Sequence, residues 1–181
     1  MTEPLFVPAV SPHLLAALVL LARLGDVVST RLASPRLALE ANCLVRRLGW
    51  PFAWLTLLLA LSPYAHAGFG VVVLTASLLV TAGNLSRGWA ARTLGEAETM
   101  EFVLRAARRG RRGAALAFTW AAAGALLLLG WLLIHLSGPG EWGPWFGLGI
   151  VAYALAIALH GTSFIVRIFR QAGAPAMPPA S

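Results

Sequence analysis

The sequence predicts an all-α fold: a polytopic transmembrane helix bundle with five transmembrane helices, the N-terminus outside and the C-terminus inside, plus a short interfacial helix. Three observations support this prediction. Of the 181 residues, 59% are hydrophobic and only 12% are charged, about half the charged fraction of a soluble domain. The hydrophobic residues form five continuous stretches, and the basic residues collect in alternate gaps between them. This composition excludes an ordinary soluble globule, and it excludes a disordered chain, which requires low hydrophobicity.

Five apolar segments approach or exceed the roughly 20 residues that a helix needs to cross the hydrocarbon core. They cover residues 13–33, 50–67, 68–86, 113–136 and 145–166. The second segment is the shortest, and Pro63 lies near its end. Each segment is a continuous run rich in Leu and Ala, whereas the strands of a membrane barrel alternate in hydrophobicity over about 10 residues. The pattern therefore predicts transmembrane helices and not a barrel.

The arginines predict how the helices are oriented. Basic residues favour the cytoplasmic side of a membrane, and this chain has 14 arginines and no lysine. Thirteen of them lie at or after the inner ends of the first, third and fifth segments: Arg31, Arg36, Arg46, Arg47, Arg87, Arg92, Arg105, Arg108, Arg109, Arg111, Arg112, Arg167 and Arg170. The opposite gaps, residues 64–69 and 137–144, contain no Arg or Lys. This alternation predicts five crossings of the bacterial cytoplasmic (inner) membrane, with the C-terminus inside.

The remaining residues are connections and ends, so the sequence predicts one domain. Residues 13–170 make up the five-helix domain. Residues 1–12 are predicted to be an N-terminal segment, and residues 171–181, which are rich in Pro and Ala, a flexible tail.

Both inner connections are predicted to contain helix. The interfacial helix is predicted over about residues 35–48, because Ser34 is a favoured N-cap residue and glycine follows at the other end. The second connection has acidic residues before basic ones, the order that the helix dipole favours. Glu101 and Arg105 within it are spaced to pair. This connection is predicted to be a solvated helical extension of the third segment.

Charged residues inside an apolar segment usually face the interior of a helix bundle, because a charge in hydrocarbon is costly. Arg23 and Asp26 lie three residues apart in the first segment and are spaced to pair. Thr30 lies on the same side of that helix as Asp26. His160 in the fifth segment lies within about 3 Å of the depth of Asp26, at a rise of 1.5 Å per residue. If the first, third and fifth segments adjoin, these groups meet Asn84 in one pocket at the inner leaflet.

Two interpretations of these polar residues stay open. In the first, Asp26 pairs with Arg23, and His160 is a hydrogen-bonded packing residue. In the second, Asp26 and His160 are catalytic and act as general acid and base. Thr30 and Asn84 would then orient a substrate, and Arg87 would hold a phosphate group.

The sequence predicts no cofactor and no metal. It contains no lysine and therefore lacks the glycine-rich G-x-x-x-x-G-K-[ST] loop that binds nucleotide phosphates. Three further histidines, His13, His66 and His135, map to the outer boundary of the predicted bundle. Whether they bind a metal or a haem stays open, since no ligand spacing supports it.

The stretch Gly25-Asp26-Val27-Val28-Ser29-Thr30, followed by Leu39-Glu40-Ala41-Asn42, resembles a family of small bacterial and archaeal integral membrane proteins. That family is a domain of unknown function. It carries an Asp-x-x-Ser/Thr-Thr motif late in a first helix and Glu-Ala-Asn-Pro at the start of an inner connection. Cys43 stands here in place of the proline, and the resemblance covers about residues 20–90. It implies an integral membrane protein and no particular chemistry.

The resemblance adds Glu40 and Asn42 to the candidate substrate-binding residues. Glu40 is expected either to pair with Arg36 or Arg47 at the surface or to fold back beside Asp26. Asn42 is expected to end or kink the interfacial helix.

Three functions remain open at this stage. The first is an accessory or binding protein without catalysis. The second is an intramembrane enzyme that acts on a lipid or lipid-linked substrate at the inner leaflet, and the third is an oligomeric transporter of a small solute or ion. The expected partners are membrane lipids, including anionic headgroups at the cytoplasmic face. A membrane-protein partner or a homo-oligomer is also expected, and nucleic acid is not.

Overall fold

The computed structural model describes residues 10–138 and 141–173, and this part of the chain is helical and contains no strand. We number its helices α1 to α7. They are α1 (Pro12–Ala33), α2 (Cys43–Leu48), α3 (Trp50–Ala65), α4 (Ala67–Leu94), α5 (Glu96–Arg109), α6 (Arg112–Leu136) and α7 (Gly143–Gly173). The predicted all-α fold is confirmed. The predicted N-terminal segment and tail lie largely outside the described residues.

Four helices are long and apolar enough to cross a membrane. These are α1, α4, α6 and α7, with 22, 28, 25 and 31 residues. They correspond to the first, third, fourth and fifth predicted segments, and they support a helical membrane protein. The second predicted segment forms α3, which is apolar but shorter. Its central part, Thr56–Leu61, is a 3-10 helix.

The helix α4 packs against both α1 and α7, and α6 packs against α7. The contact between α6 and α7 is made by glycines. A methyl group added at Gly130 would lie 2.7 Å from the carbonyl oxygen of Gly147, and one added at Gly147 would lie 2.6 Å from that of Gly130. Such close packing of small residues is common between membrane helices.

The helix α3 runs antiparallel to α1 along most of its length. At one end, His13 Nδ1 lies 2.9 Å from the Tyr64 hydroxyl oxygen. In the middle, Arg23 donates to the hydroxyl of Thr56. At the other end, the Arg31 guanidinium lies over the Trp50 ring, 5.8 Å from its centre.

The predicted interfacial helix over residues 35–48 is wrong in its first half, because only Cys43–Leu48 is helical. Ser34 is the C-cap of α1 and not the N-cap of a following helix, and its hydroxyl donates to the Glu96 carboxylate. Leu37 has a positive φ of 57°, which a right-handed helix does not accommodate. The Asn42 side chain accepts hydrogen bonds from the first turn of α2. Asn42 therefore begins the helix and does not end or kink it.

The second inner connection is helical, but it is not one continuous extension of the third segment. The helix α4 continues to Leu94, and the chain then breaks at Gly95, whose φ of 86° favours glycine. The separate helix α5 follows. The predicted pair within it is confirmed, with Arg105 Nη1 3.0 Å from Glu101 Oε1.

Candidate functional site

The centre of the site is an ion pair between Arg23 and Asp26 on α1. Both side chains are 13% exposed. The same guanidinium donates to Thr56 of α3 and, at 3.5 Å, to Ser77 of α4. Arg23 therefore joins three helices through one buried charge.

The second oxygen of the Asp26 carboxylate faces α4. It accepts hydrogen bonds at 3.5 Å from the Thr30 hydroxyl and from the Asn84 side-chain amide. The same amide donates to Thr30 at 2.9 Å and to Ser29 at 3.4 Å. The structure thus brings three of the predicted site residues together, Asp26, Thr30 and Asn84, and both carboxylate oxygens of Asp26 have partners.

Glu40 folds back toward this cluster from the turn before α2. Burial raises the pKa of Glu40, and the nearby Asp26 carboxylate raises it further. The Glu40 carboxylate accepts a hydrogen bond from the backbone N–H of Asn42 at 2.6 Å. In residues 10–138 and 141–173 it forms no salt bridge with Arg36 or Arg47, so the expected surface pair is wrong.

Two predicted site residues, Arg87 and His160, form no hydrogen bond with Asp26 in the described part of the chain. Arg87 is exposed, and its Nε donates to the Gly83 carbonyl of its own helix at 3.1 Å. His160 is half-buried in a π-helical turn of α7, Ile157–Gly161. Among the described residues, the hydrogen-bond partners of the Asp26 side chain lie on α1 and α4 and do not include His160.

The three outer histidines have separate local contacts. His13 lies beside Tyr64, as described above. The His66 ring accepts a hydrogen bond from the Gly68 N–H at the start of α4, and His135 Nδ1 lies 2.9 Å from the Trp131 carbonyl. Within the part of the chain that the structure describes, no group of three or more His, Cys, Asp or Glu side chains is placed to hold a metal ion.

Sequence reasoning missed Glu96 as an organising residue. Its carboxylate accepts hydrogen bonds from the Ser34 hydroxyl and from the backbone N–H groups of Arg36 and Ala38, the latter two at 3.0 and 2.8 Å. Burial alone would raise the pKa of Glu96, but these hydrogen bonds to the charged form outweigh it and lower the pKa. Glu96 therefore fixes the turn that carries Glu40, although it lies 62 positions after Ser34 in the sequence.

Two clefts open near the arginine-rich ends of the helices. One, of about 520 Å³, lies between α1, α3 and the end of α4. Its walls are mostly apolar, and the charged residues Arg31, Arg92 and Glu96 also line it. The other, of about 440 Å³, lies between α2 and α7 and is lined by Arg46, Arg167 and Arg170 among others. Neither Asp26 nor His160 lines either cleft.

Comparison of the chain with protein-family models, with curated proteins and with solved structures finds no match. The resemblance of about residues 20–90 to a membrane-protein family therefore stays a prediction. The candidate site rests on the geometry described above.

Proposed function

We propose that the chain is a multi-pass protein of the bacterial cytoplasmic membrane that crosses it five times. Four of these crossings are the long helices α1, α4, α6 and α7. The remaining crossing is α3, which lies beside α1 from His13 to Arg31. This part of α1 rises about 27 Å at 1.5 Å per residue. Because a 3-10 helix rises about 2.0 Å per residue, the stretch of α3 from Trp50 to Tyr64 rises about 24 Å. Because of its 3-10 part, α3 is almost as long as the stretch of α1 that it lies beside.

The proposed orientation places the N-terminus outside and the C-terminus in the cytoplasm. Five crossings bring the ends of α1, α4 and α7 that carry arginines to the same side. The turn that follows α1, the helix α5 and the last turns of α7 then all meet the cytoplasmic face. This arrangement follows the preference of basic residues for that face.

We infer that the protein works without catalysis, as an accessory or binding protein for a membrane-protein partner or a second copy. One observation carries this inference: both oxygens of the Asp26 carboxylate are engaged by other residues of the chain. A general base needs a free position within hydrogen-bond reach of its substrate. A buried carboxylate held by a guanidinium and an amide instead joins helices.

One observation favours an enzyme at the inner leaflet as the second candidate. The Glu40 carboxylate lies near enough to Asp26 for the two charges to repel each other, and its raised pKa makes it easier to protonate than an exposed carboxylate. Paired carboxylates with separated pKa values are a common acid and base arrangement. Glu40 would be the acid and the bound substrate would have to displace Asn84 from Asp26.

Lipid profiling of cells distinguishes the two functions. Cells that lack the chain are complemented with the wild type, Asp26→Asn, Glu40→Gln, His160→Ala or the exposed control Arg105→Gln. We expect the same lipid composition in all of them, and the same co-purifying partner at the same ratio in mild detergent. Glu40→Gln and His160→Ala keep the test informative if Asp26→Asn does not fold.

A lipid that accumulates with Asp26→Asn and Glu40→Gln, but not with Arg105→Gln, would establish the enzyme and contradict the binding function. Accumulation with His160→Ala as well would bring α7 into the same active site. A wild-type chain that retains no partner in mild detergent and does not associate with a second copy would also contradict the proposal.

A further inference from the structure

The second cleft, which we call the arginine cleft, opens where α2 meets the last turns of α7. It is lined by Arg46, Ser163, Val166, Arg167, Arg170 and Gln171. Ser163, Arg167 and Arg170 are spaced four and three residues apart and so share one face of α7. Three guanidinium groups from two elements that are distant in sequence thus line one cavity.

Backbone carbonyl groups position two of these guanidinium groups. Arg167 Nη2 donates to the carbonyl oxygens of Ala38 at 3.0 Å and Glu40 at 3.3 Å. Arg46 Nη1 donates to the same Glu40 carbonyl at 3.3 Å. These bonds orient the two side chains toward the turn before α2, and a neutral carbonyl does not cancel their charge.

The arginine cleft holds three guanidinium charges and one nearby carboxylate, that of Glu40, which attracts Arg46 and Arg167 without forming an ion pair with either. In the ranges 10–138 and 141–173, the two salt bridges are Arg23–Asp26 and Arg105–Glu101, and neither lies in the cleft. The carboxylate of Glu40 is bonded to the backbone of Asn42. The Nε of Arg167 is buried and has no hydrogen-bond partner among the described residues. Guanidinium donors therefore remain for a ligand.

The donor set suits a phosphate group. Guanidinium groups bind phosphate oxygens through two parallel hydrogen bonds, and several of them together neutralise its charge. Ser163 and Gln171 add a hydroxyl and an amide, while Val166 adds an apolar wall. An anionic lipid headgroup combines such a phosphate with an adjoining apolar chain.

We propose that the arginine cleft binds the phosphate group of an anionic phospholipid of the cytoplasmic leaflet. The proposal rests on the orientation proposed above, because only then does this end of α7 lie among cytoplasmic headgroups. The phosphate of a soluble compound has the same chemistry, and the test separates the two sources.

Full-length protein in an uncharged mild detergent is titrated with short-chain phosphatidylglycerol or with phosphatidylcholine of equal chain length. Bound lipid is counted by native mass spectrometry. The variant Arg46→Gln/Arg170→Gln is compared with Arg108→Gln/Arg109→Gln, which removes the same charge from α5. We expect the cleft variant to bind phosphatidylglycerol about tenfold more weakly than the wild type, because it loses hydrogen bonds from charged donors to the phosphate. We expect the control variant to bind this lipid as tightly as the wild type does. Arg170→Gln alone leaves the backbone bonds in place and gives a smaller loss in the same direction.

Equal losses in both variants would overturn the site, because they would indicate diffuse attraction to net charge. Equal affinity of the wild type for the two lipids would overturn it as well. Displacement of the lipid by inorganic phosphate at an equal concentration would overturn the proposal that the ligand is a phospholipid. It would indicate that the arginine cleft binds a soluble phosphate compound. A reversed orientation is detected separately, by labelling of the chain ends, so the two failures are distinguishable.

Discussion

Replacing Arg23 with Gln is expected to lower the free energy of unfolding by about 3–5 kcal/mol, because the substitution leaves the Asp26 charge buried without a partner. The change also removes the hydrogen bonds that Arg23 donates to Thr56 and Ser77. The measurement is reversible unfolding in mixed micelles, followed by tryptophan fluorescence.

The double variant Arg23→Gln/Asp26→Asn is expected to recover most of this loss, to within about 1–2 kcal/mol of the wild type, because no unpaired charge remains. The exposed pair gives the matched control. Its side chains are 55% and 63% exposed, and Arg105→Gln is expected to cost at most about 1 kcal/mol. Equal losses for Arg23→Gln and Arg105→Gln would show that the α1 pair is hydrated and does not organise the bundle.

The second large effect is expected at Gly130, where α6 approaches α7. Gly130→Leu is expected to destabilise the protein by about 3 kcal/mol or more, because overpacking is costly when the neighbouring atoms cannot move. Even the first carbon of the new side chain would meet the Gly147 carbonyl at 2.7 Å and the Val151 side chain at 2.8 Å. The same micelle unfolding measurement gives the size of the effect.

Gly124→Leu on the same helix is the control. A side chain there has nothing within 4 Å of its first carbon, so it would face the surrounding lipid or detergent. We expect its free energy of unfolding to stay within about 0.5 kcal/mol of the wild type, as for surface changes. Equal free energies of unfolding for the two leucine variants would contradict the close contact between α6 and α7 at Gly130.

Much of the helical fold is predictable from sequence because long apolar runs have few alternatives in a membrane. The start of α1 differs from the prediction by one residue and its end agrees, since Pro12 and Ser34 bound the run. The turn from Ser34 to Asn42 could not be predicted. Its own capping signals favour a helix, and the competing carboxylate of Glu96 lies far away in sequence.

Some contacts of the candidate site were also predictable from the sequence, and others were not. The pair of Arg23 and Asp26 is local and follows from helical spacing. The contact of Asp26 with Asn84 required only that the first and third segments adjoin, which the structure confirms. Thr56 could not be recognised as a partner of Arg23, because a single hydroxyl in an apolar segment usually bonds to its own helix. Thr56 does so as well, with the Ala53 carbonyl at 2.6 Å.

The number of crossings is tested by labelling single cysteines with a membrane-impermeant maleimide in intact cells. Cys43 is the chain's own cysteine and is exposed, and in a Cys43→Ser background Ser11→Cys and Gln171→Cys report on the two ends. Five crossings predict that the cysteine at position 11 is labelled in intact cells, while those at positions 43 and 171 are labelled only after permeabilisation. Labelling of both ends in intact cells, or of neither, would mean an even number of crossings and would contradict α3 as a span.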